Sequence, residues 1–89
     1  MKVHVTLHIT GRVQGVFYRA SARDKAQSLK VNGYARNEKD GSVCIEAEGD
    51  EQAIQTFIAW CKDGPRMAEV NEVKVEFGEI KNFQNFSIR

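Results

Sequence analysis

The sequence predicts an α+β fold in which two helices cover one face of an antiparallel sheet. Segments in which apolar and polar residues alternate predict strands, and two segments with apolar residues at helical spacing predict helices. In chain order they read β-α-β-β-α-β, two β-α-β units of similar size. With a length of 89 residues, which suits one small domain, this order is that of a ferredoxin-like sandwich.

The composition is that of an ordinary globular domain. Hydrophobic residues make up 42% of the chain and charged residues 28%, which gives no sign of extended disorder, so we expect a single domain over residues 1–89. A net charge of +1 argues against a general attraction to nucleic acid or to anionic membranes. No apolar stretch is long enough for a signal peptide or a transmembrane helix, and no extra apolar patch requires a partner. We therefore expect a cytoplasmic monomer.

The first strand and the first helix have clear periodicities. Residues 3–10 alternate strictly, with apolar side chains at the odd positions, so one face of this strand should lie under the helices. Apolar residues at helical spacing from Tyr18 to Leu29 predict the first helix over residues 18–30. An Asn-Gly pair then ends it.

The middle of the chain predicts a hairpin followed by a second helix. A strand over residues 34–37 leads into the turn 38–41, whose Asp-Gly pair is typical of hairpins, and the third strand follows over residues 43–49. Asp50 can cap a second helix, which we predict over residues 51–63 because a Gly-Pro pair comes next.

The last part of the chain predicts a long strand and a short closing one. Val70 and Phe77 bound the long strand, and the spacing between Val70 and Val73 breaks the alternation, which indicates a bulge or a late strand start. Phe86 and Ile88 predict the short strand.

Residues 11–19, between the first strand and the first helix, predict an anion-binding turn. Gly11 and Gly15 allow positive φ and the close approach of a ligand, and the amides that enter the helix have no intrahelical partners. Arg19 falls in the first helical turn, where its planar guanidinium can close over a bound oxyanion. The stretch therefore fits a phosphoryl group.

The predicted topology brings a second polar residue to this turn. Right-handed β-α-β crossovers make the first two strands parallel, so both end at the same edge of the sheet with the third strand between them. Asn37 ends the second strand and should therefore lie near Arg19. A carboxamide can orient an attacking water.

Several phosphoryl-transfer mechanisms do not fit this turn. A phosphocysteine mechanism needs a cysteine where Val13 stands, and no Gly-Lys-Ser/Thr sequence is present to hold a nucleotide and its metal. What remains is positioning and charge stabilisation. Such a site suits an acyl phosphate, because a carboxylate, whose conjugate acid has a pKa of about 4, departs unaided.

Two motifs carry a resemblance to a known family. Gly11-x-Val13-Gln14-Gly15-Val16-x-Tyr18-Arg19 resembles the first signature of the acylphosphatases, and Gly33-Tyr34-Ala35-Arg36-Asn37-x-x-x-Gly41-x-Val43 resembles the second. Both motifs are long, and their order, their spacing and the chain length match that family.

The resemblance implies a function and a set of site residues. Acylphosphatases hydrolyse the carboxyl-phosphate bond without a metal or other cofactor, with an arginine binding the phosphate and an asparagine orienting the water. By motif position these roles fall on Arg19 and Asn37. The phosphate-binding loop would then comprise Arg12, Val13, Gln14, Gly15, Val16, Phe17 and Tyr18.

The cysteines and histidines do not predict a metal site. Cys44 and Cys61 form no CxxC motif and fall on opposite sides of the predicted sheet, so we expect two free thiols. His4 and His8 lie on the open face of the first strand, where we expect them to be exposed or partly packed.

A non-catalytic module that binds phosphate or another small ligand is the main alternative, because ferredoxin-like domains also bind ligands and RNA. RNA-binding sheets display stacking aromatics on the third strand. The open face of this strand instead carries Ser42, Cys44, Glu46 and Glu48. The two glutamates would repel RNA, so we expect no nucleic acid partner. The expected partner is the substrate, a small-molecule acyl phosphate.

Overall fold

A computed structural model describes all residues from Met1 to Arg89 and has the predicted order of elements. The strands are β1 (Lys2–Arg12), β2 (Asn32–Asn37), β3 (Val43–Asp50), β4 (Glu69–Gly78) and β5 (Phe86–Ile88), and the helices are α1 (Tyr18–Ser28) and α2 (Glu51–Asp63). The helix α2 has the predicted bounds, whereas α1 ends two residues earlier than predicted, shortly before the left-handed Lys30. Neither helix is long and apolar enough to cross a membrane.

The five strands form one sheet in the order β4-β1-β3-β2-β5. The strand β3 pairs antiparallel with both β1 and β2, which are therefore parallel to each other, as predicted. The short strand β5 adds a parallel edge beside β2, so the sheet is mixed rather than purely antiparallel. The predicted α+β fold is confirmed, and the ends of β1 and β2 lie at the same edge.

The core lies between the sheet and the two helices. The apolar face of β1 contributes Val5, Leu7 and Ile9, which are fully buried in a cluster of 17 residues. Ala22 and Ala26 face this cluster from α1 and are also fully buried. Their small side chains allow α1 to pack closely on the sheet.

Of the two alternatives predicted for β4, a bulge or a late start, the bulge is present. Thr10 pairs with Glu72 and Gly11 pairs with Val70, so Asn71 is the extra residue. Gly11 has φ +124°, and a Cβ built there would lie 2.2 Å from the main-chain oxygen of Glu69. Strand pairing at the bulge therefore requires this glycine, which the sequence had suggested as part of the ligand cradle.

The open face of the sheet is not open along its whole length. The segment between β4 and β5 lies across it and donates the main-chain N–H groups of Lys81 and Phe83 to the carboxylate of Glu48. Nδ1 of His4 lies 2.8 Å from Oε2 of Glu48, and Nε2 of His4 lies 3.2 Å from Oε1 of Glu46. The expectation that His4 is exposed or partly packed is wrong: it is 3% exposed, because this segment covers it.

Candidate active site

The molecule has one cavity, of about 250 Å³, where β1 and β2 end beside the start of α1. Eight residues line it: Val13, Gly15, Phe17, Tyr18, Arg19, Ala20, Asn37 and Ile88. Both residues with predicted catalytic roles are among them, although 18 positions separate them in the sequence. The topology thus brings Asn37 to the turn that holds Arg19.

Two buried valines anchor the β1–α1 loop, residues 13–17. Val13 and Val16 are 1% and 3% exposed and belong to the core, whereas Gly15 and Phe17 are exposed. Gly15 has φ +75°, and a Cβ built on it would meet no atom within 4 Å. The two buried valines thus fix the backbone of the loop, and the space beside Gly15 stays open.

The main chain of this loop supplies hydrogen-bond donors. The N–H groups of residues 14–17 donate to no other main-chain group, and the first N–H groups of α1 have no intrahelical acceptor. The first intrahelical bond at this end runs from the N–H of Ser21 to the oxygen of Phe17. Unpaired amides at a helix N-terminus attract anions, because the helix dipole adds a positive partial charge there.

Gln14 holds the loop against the neighbouring hairpin. Its Nε2 donates to the main-chain oxygens of Glu38 and Ser42, at 2.8 Å and 2.9 Å. These residues frame the turn that follows Asn37, so one side chain links the loop to the strand end that carries the asparagine. The side chain of Gln14 therefore does not line the cavity, and neither does Arg12, which is exposed where β1 pairs with Glu69.

Arg19 provides the positive charge of the cavity. It lies in the first turn of α1, and its Nη1 donates to the main-chain oxygen of Arg89 at 3.3 Å. No side-chain carboxylate forms an ion pair with it. Its guanidinium can therefore bind an anion without first giving up an acidic side-chain partner.

Asn37 presents an unsatisfied acceptor. Its Oδ1 is buried and has no hydrogen-bond partner, and it is the one side-chain atom in the molecule of which this is true. Nearly all buried polar groups in native proteins have a hydrogen-bond partner, from the protein or from an ordered water, so this acceptor is free for a water or a ligand. An acceptor of this kind in a cavity beside Arg19 can hold a water or a substrate group.

The cavity has no residue that could act as a nucleophile or a strong acid. Its lining contains no serine, cysteine, histidine or carboxylate. Burial raises the pKa of the Tyr18 hydroxyl far above its ordinary value, and this hydroxyl already donates to the main-chain oxygen of Cys61 at 2.7 Å. Burial also raises the pKa of the Cys61 thiol, to about 12. The site can therefore act by positioning groups and stabilising charge.

Two lining residues, Ala20 and Ile88, were not predicted from the sequence. Ala20 follows Arg19 directly, so its place in the first helical turn could have indicated it. Ile88 comes from β5, which pairs with β2 through Ala35. A strand of three residues is too short for its pattern alone to fix the neighbour or the register.

Comparison with known proteins gives a consistent result. A model of the family described as Acylphosphatase matches residues 5–88. An acylphosphatase from Nocardioides sp. is 44% identical over 89 residues, covering 100% of this chain and 90% of the relative. The structure of an acylphosphatase from Coxiella burnetii aligns with a TM-score of 0.96 at 32% identity, over 99% of this chain and 93% of that one. One from Bacillus subtilis aligns with a TM-score of 0.95 at 33% identity, over 98% of both chains.

Proposed function

The chain belongs to the acylphosphatase family and hydrolyses acyl phosphates, and we propose that this reaction takes place in the cavity between the β1–α1 loop and Asn37. One observation carries the proposal: Asn37, whose buried Oδ1 has no hydrogen-bond partner, lines the same cavity as Arg19. A free acceptor can hold a water, and a cation without an acidic side-chain partner can bind a phosphoryl group.

The phosphoryl group binds to the loop. Main-chain N–H groups of residues 14–17 and the first turn of α1 donate to its oxygens, and the Arg19 guanidinium adds a charge-assisted bond. Negative charge spreads over the equatorial oxygens as the phosphoryl group is transferred, so donors already in place stabilise the transition state without reorganising. Gln14 contributes by holding the loop in position rather than by touching the substrate.

Asn37 orients the attacking water. Its Oδ1 accepts a hydrogen bond from the water, which places the water's oxygen opposite the bond that breaks. A bond forms between phosphorus and this oxygen, the bond between phosphorus and the acyl oxygen breaks, and the carboxylate leaves with the electron pair. The water's proton passes to a phosphate oxygen, since the lining offers no general base.

We also propose that the protein is a cytoplasmic monomer that binds neither nucleic acid nor membranes. Two buried, free cysteines suit a reducing compartment. The net charge of +1 offers no broad attraction to polyanions. The segment between β4 and β5 covers part of the sheet face that an RNA-binding domain of this fold would use.

Hydrolysis of benzoyl phosphate in excess chelator tests the proposed reaction, with p-nitrophenyl phosphate as the matched monoester. We expect turnover of the acyl phosphate alone, because a phenolate leaves less readily than a carboxylate and no acid is present to assist it. Activity that disappears in chelator and returns with a divalent ion would contradict the mechanism. Comparable rates on the two substrates would contradict it as well.

A further inference from the structure

Two exposed apolar side chains form part of the cavity's lining. Phe17 is 73% exposed and Ile88 is 36% exposed, and they come from distant parts of the sequence. Single exposed hydrophobic residues are common on protein surfaces and need no explanation. Here two such residues lie in the lining of the same cavity, together with the groups proposed to bind phosphate. Their shared position therefore calls for an explanation.

The backbone holds Phe17 outward. It has φ 65° and ψ 22°, the left-handed conformation, which bulky residues rarely adopt. Its neighbours Val16 and Tyr18 are buried, and its main-chain oxygen accepts the first hydrogen bond of α1 from Ser21. The ring is thus fixed on the solvent side of a well-anchored loop rather than free to fold into the core.

The lining of the cavity indicates what contacts these side chains. The cavity of about 250 Å³ is lined by Phe17 and Ile88 as well as by Arg19 and Asn37. With the phosphoryl group on the amides and Arg19, the acyl group of the substrate lies against the rest of this lining. The exposed side chains it meets there are apolar, so a charged acyl group would lose hydration without gaining a partner.

We propose that Phe17 and Ile88 form an acyl-group subsite, which makes the enzyme selective for acyl phosphates with apolar and especially aromatic acyl groups. This proposal rests on the proposed function, because it takes the phosphoryl group to lie on the β1–α1 loop. An aromatic acyl group gains an aromatic contact with Phe17 in addition to buried apolar area. This contact exists before and during the reaction, so it lowers KM more than it raises kcat.

Selectivity is measured as the ratio of kcat/KM for benzoyl phosphate to that for acetyl phosphate, in the unaltered enzyme and in Phe17→Ala. Alanine keeps the Cβ and hence the backbone strain, so the comparison isolates the ring. Phe77→Ala is the matched control, because Phe77 is 72% exposed but lies on the edge strand β4. We expect the ratio to fall about five- to tenfold in Phe17→Ala, mainly through KM, and to stay unchanged in Phe77→Ala.

Binding of benzylphosphonate and methylphosphonate, measured by calorimetry, tests the subsite without turnover. The unaltered protein should prefer the benzyl compound, and Phe17→Ala and Ile88→Ala should each reduce that preference. A preference that persists in both variants would overturn the subsite even if acyl phosphates are hydrolysed. A preference lost in the variants of a protein that turns over no acyl phosphate would support the subsite and refute the catalytic roles alone. No binding of either phosphonate would refute both.

Discussion

The hydroxyl of Tyr18 donates a 2.7 Å hydrogen bond to the main-chain oxygen of Cys61. Tyr18 is the first residue of α1, and Cys61 lies in the last turn of α2, whose carbonyl groups have no intrahelical donors. One buried side chain therefore joins the start of the helix that carries Arg19 to the end of the other helix. This contact holds the first residue of α1, which directly follows the proposed phosphate-binding loop, against α2.

Tyr18→Phe should lower the free energy of unfolding by about 1–2 kcal/mol, because the carbonyl of Cys61 loses its donor in a buried place. Chemical denaturation at neutral pH measures this, and an unchanged m-value would show that the loss lies in the native state. Ser28→Ala is the control, because it removes an exposed hydroxyl whose bond is local to α1. Equal stability of Tyr18→Phe and the unaltered protein would show that the contact contributes nothing.

The cluster around Glu48 should make stability depend on pH in the acid range. Burial opposes the ionised form of Glu48, but hydrogen bonds from Lys81, Phe83 and His4 outweigh it and lower its pKa below the ordinary 4.5. A carboxylate whose pKa is lower in the folded state stabilises the fold when the pH is above its pKa in the unfolded chain. This contribution is lost as the pH falls through its pKa in the folded protein. The free energy of unfolding should therefore decrease from about pH 5 downward.

Glu48→Gln should remove much of this pH dependence. It should also lower stability at neutral pH by about 3 kcal/mol or more, because the buried partners of the carboxylate lose its charge. Glu72→Gln changes an exposed carboxylate on β4 and should alter neither quantity. An acid transition in Glu48→Gln as steep as in the unaltered protein would assign the pH dependence to other groups.

Gln14→Ala should reduce kcat/KM for acyl phosphates by about ten- to a hundredfold, because small displacements of positioning groups have effects of this size. The affinity for inorganic phosphate should fall with it, since the loop proposed to bind phosphate is no longer tied to the hairpin. Gln84→Ala is the control, because that side chain only bonds to the nearby oxygen of Asn82. Undiminished activity and affinity in Gln14→Ala would mean that the loop keeps its conformation alone.

Gly11 and Gly15 should respond differently to alanine. Gly11→Ala should destabilise the protein by at least about 2 kcal/mol, because its Cβ would overlap the main-chain oxygen of Glu69. Gly15→Ala meets no neighbour, so it should cost only the roughly 1–2 kcal/mol of a left-handed residue. It should nevertheless weaken phosphate binding about tenfold, because the added methyl group takes up the room that the loop leaves at Gly15. Thermal unfolding and phosphate calorimetry separate the two effects. Weaker phosphate binding by a folded Gly11→Ala than by Gly15→Ala would reverse this assignment.

Much of this architecture could be predicted because its elements have strong local patterns. Asp50 and the Gly-Pro pair gave the bounds of α2, and the spacing of Val70 and Val73 indicated the bulge. The crossover rule placed Asn37 beside the turn that carries Arg19, which is the main relationship of the site.

What could not be predicted depends on segments without periodicity. The stretch between β4 and β5 has no regular structure, so nothing in its pattern showed that it would cover His4 and Glu48. Gln14 reads as a loop residue until its acceptors on the hairpin are known. Phe17 likewise carries no signal for a left-handed backbone, because tertiary anchoring of the flanking residues imposes it.

The most direct test of the catalytic assignment compares two measurements on Asn37→Ala: hydrolysis of benzoyl phosphate in excess chelator, and binding of inorganic phosphate by calorimetry. Arg19→Ala is the counterpart and should lose both, because its guanidinium is proposed to bind the phosphoryl group itself. For Asn37→Ala we expect kcat to fall about 10²–10³-fold, the usual effect of removing one positioning or stabilising group, while phosphate still binds. Turnover by Asn37→Ala at the unaltered rate would contradict the role of Asn37 in orienting the water.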